Sequence, residues 1–126
     1  MGVMTQSRVA LGRIGEDLAC RELERRGYVI LERRYRRRGG GIDIIARDGE
    51  TMAFVEVKAR ESKDFGEAAE SVIFRKRRRM TLVALDYLAR NHVAACPCRF
   101  DVVAIQMENE LPVIELYQNA FDAVGG

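Results

Sequence analysis

Two short stretches, residues 41–46 and 52–59, constrain this chain more than any other feature. The first holds Ile42, Ile44 and Ile45, and the second Ala53, Phe54, Val55 and Val57, so both are apolar on both faces. Successive strand residues point to opposite sides, and strands with two apolar faces belong in the middle of a sheet covered on both sides. Arg47-Asp48-Gly49-Glu50 between them has the make-up of a hairpin turn. Three ionisable residues, Asp43, Glu56 and Lys58, interrupt these apolar strands. A buried carboxylate without a partner is costly, so each is expected to meet a counter-charge or a cation.

The rest of the chain supplies the cover. Leu11, Gly12, Gly15, Leu18, Ala19 and Leu23 recur at helical spacing, which predicts a helix over 7–26 that Gly27 ends. Its small residues allow a close approach to a sheet. Tyr28-Val29-Ile30-Leu31 starts a strand, and 60–71 reads as a loop. A second helix over 72–90 has the buried stripe Met80, Val83, Ala84, Tyr87 and Leu88. Strands over 99–107 and 111–117 follow, joined by a turn at 108–110, with residues 1–6 and 118–126 expected to fray. The order is helix, three strands, helix, two strands. At 126 residues this is a single α/β domain over 1–126.

Several function classes drop out. No apolar run approaches the roughly 20 residues of a membrane span, and residues 1–6 lack the pattern of a secretory signal. The expectation is a cytoplasmic protein with no membrane partner. His92 is the single histidine, so two-histidine zinc sites are excluded, and its place after the second helix reads as surface or cap. Cys20, Cys96 and Cys98 are an odd set, read as reduced thiols. The pair Cys96-Pro97-Cys98 lacks the second ligand pair of a zinc site.

Glu56 and Lys58, two apart in one strand, share a face. A two-residue loop at Asp48-Gly49 sets Asp43 opposite Phe54 and diagonal to Glu56. A four-residue loop sets Asp43 directly opposite Glu56. Either way two carboxylates can hold one ion, whereas a one-residue slip sends Asp43 to the other face. Hard oxygen donors with water in the remaining positions suit Mg²⁺ or Mn²⁺. Lys58 is placed to orient a water or to neutralise a phosphate, and Glu16 to reach the site from the first helix. The plainer alternatives are cross-strand ion pairing for the Glu56-x-Lys58 pair, an ion pair of Asp43 with Lys58, and helix-dipole compensation for Glu16 and Asp17.

Charge points to the partner. Of 21 basic residues, ten lie in two clusters: Arg33, Arg34, Arg36, Arg37 and Arg38, and then Arg75, Lys76, Arg77, Arg78 and Arg79. Clustered guanidinium forks match phosphate oxygens. The second cluster opens a helix, where the dipole disfavours cations, and this suggests an anionic partner. Solvated basic faces are the alternative.

Gly15-Glu16-Asp17-Leu18-Ala19, Gly27-Tyr28-Val29-Ile30-Leu31, Gly40-Gly41-Ile42-Asp43-Ile44-Ile45, Phe54-Val55-Glu56-Val57-Lys58-Ala59-Arg60 and Arg99-Phe100-Asp101-Val102-Val103 together resemble the YraN-like family of bacterial proteins. That family is similar to the restriction-endonuclease-like superfamily, whose nuclease core is written PD-(D/E)xK. The resemblance implies an αβββαβ core with a mixed sheet flanked by helices. It implies Asp43 as the metal-binding aspartate, Glu56 and Lys58 as the (D/E)xK pair, Glu16 as the helical glutamate of resolvase-like branches, and Lys76 as a lysine of the second helix. Where the family commonly carries Gly-Glu-Ile-Asp, this chain has Gly40-Gly41-Ile42-Asp43, so one acid is missing at Gly41. The expectation is a Mg²⁺- or Mn²⁺-dependent nuclease, with Asp43 and Glu56 on the metal, acting on DNA in preference to RNA, with branched or flapped DNA among its candidate substrates. The alternatives are a non-catalytic nucleic-acid-binding module on the same scaffold and a protein-interaction role for the arginines. A homodimer is compatible with the sequence but not demanded by it.

Overall fold

A computed structural model describes residues 2–60, 74–93, 95–108 and 111–124. Helix α1 (Gly2–Arg25) leads into strands β1 (Val29–Arg37), β2 (Gly40–Asp48) and β3 (Thr51–Arg60). Helix α2 (Phe74–Arg90) precedes β4 (Cys98–Glu108) and β5 (Leu111–Phe121). The five strands form one mixed sheet in the order β1-β2-β3-β4-β5, parallel between β3 and β4 and antiparallel elsewhere. This is the helix, three-strand, helix, two-strand order expected from the sequence. The expected loop at 60–71 and turn at 108–110 lie largely outside the described residues.

The helices cover opposite faces. On the α1 side Ala19, Cys20 and Leu23 pack with Ile44, Ala46, Ala53, Val55, Val103 and Ile105. On the α2 side Met80, Val83, Ala84, Tyr87 and Leu88 pack with Ile45, Phe54, Phe100 and Val102. The buried stripe of α2 is the one its spacing predicts. Gly15 is where α1 touches the sheet, since a Cβ there would lie 2.8 Å from the Ala59 Cβ.

Both helix ends close as their sequences require. At α1 the Gly27 N–H donates to the Glu24 carbonyl and the Tyr28 N–H to the Leu23 carbonyl, with Gly27 at φ 94°. At α2 the His92 N–H donates to Ala89 and the Val93 N–H to Leu88, with His92 at φ 57°. These are paired bonds of the Schellman type, and His92 is the left-handed cap residue.

Two end assignments change. Helix α1 begins at Gly2 rather than at 7, because nothing between Gly2 and Ser7 breaks a helix. Strand β5 continues through 118–121 rather than fraying, because Phe121 is buried and stacks on Phe100 at 4.9 Å between centroids.

Candidate functional site

The β2–β3 hairpin decides the site. Asp48 pairs with Thr51 and Ile44 with Val55, so the turn is Gly49-Glu50. Gly49, at φ 62°, holds the first central position, where a hairpin turn favours glycine. The loop has two residues but sits one residue later than Asp48-Gly49. Continuing this register by one step sets Asp43 opposite Glu56, the arrangement expected from a four-residue loop.

The ladder stops one pair short of that point. The Asp43 carboxylate takes the next hydrogen bond itself, accepting the Val57 N–H at 2.8 Å. The strand also rotates here. Ile44 belongs to the α1-side core and Ile42 to the α2-side core, although they are two residues apart. Asp43 is thus a side-chain wedge at the place where β2 and β3 part.

The two carboxyl groups meet in this opening. Burial first, then hydrogen bonding and charge repulsion from Glu56, push the Asp43 carboxyl up to about 7. Burial alone raises Glu56, but the Asp43 hydrogen bond and the Lys76 ammonium outweigh it and hold that group below its ordinary value. Below about pH 7 the pair therefore tends to share a proton.

Each carboxylate also faces a cation. The Lys76 ammonium, from the first turn of α2, is ion-paired with Glu56 Oε2. Arg36 Nη2 lies 3.9 Å from Asp43 Oδ1. Arg36 reaches it because its cross-strand partner is Gly41. A Cβ on Gly41 would come within 2.7 Å of Arg36 Cδ and 2.9 Å of the Tyr35 carbonyl oxygen. The position that lacks an acid is thus covered by the arginine across the ladder.

Two clefts converge on Lys58. One, of about 610 Å³, is lined by Gly12, Arg13, Glu16, Arg34, Arg36, Asp43, Val57, Lys58 and Ala59. The other, of about 480 Å³, is lined by Gly40, Gly41, Lys58, Arg75, Lys76, Arg79 and Met80. Lys58 stands at the junction, and its charge acts on Glu56.

Not every expected residue converges. Glu16 is buried beside the first cleft, but its carboxylate is taken by Arg33 and Arg34, at 3.1 Å from each. Arg34 makes this contact from a left-handed backbone, φ 52°. Arg33 also binds Asp17, and Arg37 binds Asp86. Arg77 lies over the Phe121 ring, 5.4 Å from its centroid. Arg38, Arg75, Arg78 and Arg79 are exposed and form no ion pair among the described residues.

In donor chemistry Asp43 and Glu56 fit a divalent cation. Carboxyls close enough to hydrogen-bond can both reach one ion, and Mg²⁺ is commonly held by one or two carboxylates with water completing the shell. Among the described residues no group of three or more His, Cys, Asp or Glu side chains gathers as a metal cluster. Among the described residues the candidate ligands are therefore this pair, with Glu16 engaged by Arg33 and Arg34. Cys20 and Cys96 pack on opposite faces of the sheet, so Cys20 does not join Cys96 and Cys98 as a ligand.

Lys76 and Arg36 are closer to the carboxylates than the sequence reading placed them. Both had signals. Lys76 lies four residues before Met80, on the extension of the buried stripe of α2, and Arg36 faces a glycine.

Comparison with known proteins adds the lineage. Residues 15–105 match the model of the family described as Uncharacterised protein family UPF0102. A UPF0102 protein of Geobacter metallireducens is 46% identical over 113 residues, covering 90% of this chain and 93% of its own length. One from Pelotomaculum thermopropionicum is 41% identical over 120 residues, covering 94% and 100%. One from Syntrophus aciditrophicus is 44% identical over 123 residues, covering 98% and 96%. The match spans both carboxylates, Lys58, Lys76 and the strands that carry them, and on this ground the chain belongs to the UPF0102 family.

Proposed function

We propose that this chain is a divalent-metal-dependent nuclease acting on DNA, built on a restriction-endonuclease-like αβββαβ core. The observation that carries the reading is the meeting of the Asp43 and Glu56 carboxyls where β2 and β3 part, with Lys58 beside them at the junction of two arginine-lined clefts. The order α1-β1-β2-β3-α2-β4 supports the core assignment.

Asp43 and Glu56 would hold Mg²⁺ or Mn²⁺. Such an ion supplies Lewis acidity, acidifying a water and stabilising charge on a phosphoryl oxygen. The chain supplies the rest. The Val57 N–H fixes the Asp43 carboxylate. Lys58 orients the attacking water or neutralises the phosphate from the cleft junction. Arg34 and Arg36 on one side, and Arg75 and Arg79 on the other, grip the flanking phosphates by charge-assisted hydrogen bonds. Cleavage of single-stranded, duplex, flapped and branched DNA, and of RNA, with Mg²⁺ or Mn²⁺ tests this. Wild type should cut DNA, and Asp43→Ala and Lys58→Ala should each lose the activity. Equal cleavage by both variants removes the assignment.

One observation favours a second reading, a nucleic-acid-binding module without turnover. Lys76 is already ion-paired with Glu56, Arg36 stands 3.9 Å from Asp43, and no acid stands at Gly41. That module binds DNA, takes up no Mn²⁺ in calorimetry, and cuts nothing.

A further inference from the structure

We infer that Lys76 is a displaceable stand-in for the cation: it closes the Asp43–Glu56 site until a phosphate backbone draws it away, so that divalent-cation binding and nucleic-acid binding reinforce each other. This rests on the nuclease reading and adds its regulation.

The ion pair is lopsided. The Glu56 side chain is 5% exposed and that of Lys76 is 42% exposed. Glu56 therefore cannot exchange its partner for bulk water, and removing the cation without replacement leaves a buried charge uncompensated. Lys76 has no such constraint. It sits on the rim of the cleft it lines with Arg75, Arg79 and Gly41, where an anion offers its flexible ammonium another partner. Lys76 holds Glu56 through Oε2, so a divalent ion on this carboxylate would compete with it. A phosphate in the cleft removes the competitor. By linkage, an ion on the carboxylates frees Lys76 for the phosphate to the same degree.

The test is a Mn²⁺ titration by calorimetry on the protein without nucleic acid, for wild type, Lys76→Met, Lys76→Arg and Asp43→Ala, each checked for folding by circular dichroism. Lys76→Met keeps much of the side chain and removes the charge, and should bind Mn²⁺ about tenfold more tightly than wild type, within the usual range of coupling. Lys76→Arg keeps the charge and should stay near wild type. If Lys76→Met binds equally or more weakly, while wild type takes up Mn²⁺ and Asp43→Ala does not, the inference is overturned and the metal site stands. If no variant and no wild type takes up Mn²⁺, both are overturned.

Discussion

Replacing Asp43 by asparagine keeps the shape of the side chain and removes its titration. In the metal-free protein burial, followed by the hydrogen bond and charge of Glu56, lifts the Asp43 carboxyl from 3.8 to about 7. The folded chain then holds a proton in that interval that the unfolded chain releases. A raised folded-state pKa contributes stability that is complete below the unfolded value and is lost as pH rises through the folded one. Glu56 is shifted downwards, so its contribution changes only below its ordinary 4.5. Above about pH 5 the dependence belongs to Asp43. The roughly two units between pH 5 and 7, at about 1.36 kcal/mol each, cap the effect near 3 kcal/mol. Because the side chain is 22% exposed, about 2 kcal/mol is the expected size. Urea unfolding in a chelating buffer from about pH 5 to 8 measures it. Wild type should lose about 2 kcal/mol relative to Asp43→Asn across that range, and the difference should level off above pH 7. A gap that does not change with pH would refute the reasoning, because it means that burial and Glu56 together do not raise the Asp43 carboxyl in the fold. Saturating Mn²⁺ should reverse the order, stabilising wild type alone by mass action.

Other perturbations follow from the same geometry. Gly41→Ala should cost about 1–3 kcal/mol in urea unfolding, and adding Arg36→Ala should recover only part of it, because the Tyr35 carbonyl still lies 2.9 Å from the new Cβ. Gly15→Ala should destabilise through its clash with Ala59, whereas Gly12→Ala, with nothing within 4 Å, should be neutral or gain up to about 1 kcal/mol of helix propensity. Asp101 is fully buried and accepts hydrogen bonds from Tyr28, Arg99 and the Asn119 N–H. Asp101→Ala should therefore cost about 3–5 kcal/mol in the same assay. In fluorescence anisotropy with labelled DNA, the double variant Arg75→Ala, Arg79→Ala should flatten the dependence of log affinity on log salt by about two units, and an unchanged slope would place the phosphates elsewhere.

Much of the fold was legible because it depends on periodicity. The two-faced apolar strands marked the sheet centre, and Met80, Val83, Ala84, Tyr87 and Leu88 marked the face that α2 buries. Gly27 marked the end of α1 through the backbone conformation it alone adopts at low cost. The pairing register was not fixed by such a pattern. Asp48-Gly49 reads as a turn with both residues at its centre, but Asp48 stays in the ladder and Gly49 takes the first turn position, one residue later. That single step sets Asp43 opposite Glu56. The far end of β5 depended on Phe121 finding Phe100, a contact between strands that no local window contains. For the site, the strand-borne acids and lysine stood out because charge is rare between apolar neighbours. The cations that answer them did not. Arg36 and Lys76 come from β1 and α2, each inside a run of like residues, and only the crossing of elements separates them from the arginines that face solvent.

Anomalous diffraction from crystals soaked in Mn²⁺ tests the central claim most directly. The account predicts one strong peak between the Asp43 and Glu56 carboxylates, with Lys76 moved off Glu56. A map without that peak, in which the carboxyls still hydrogen-bond each other and Lys76 still holds Glu56, would contradict it.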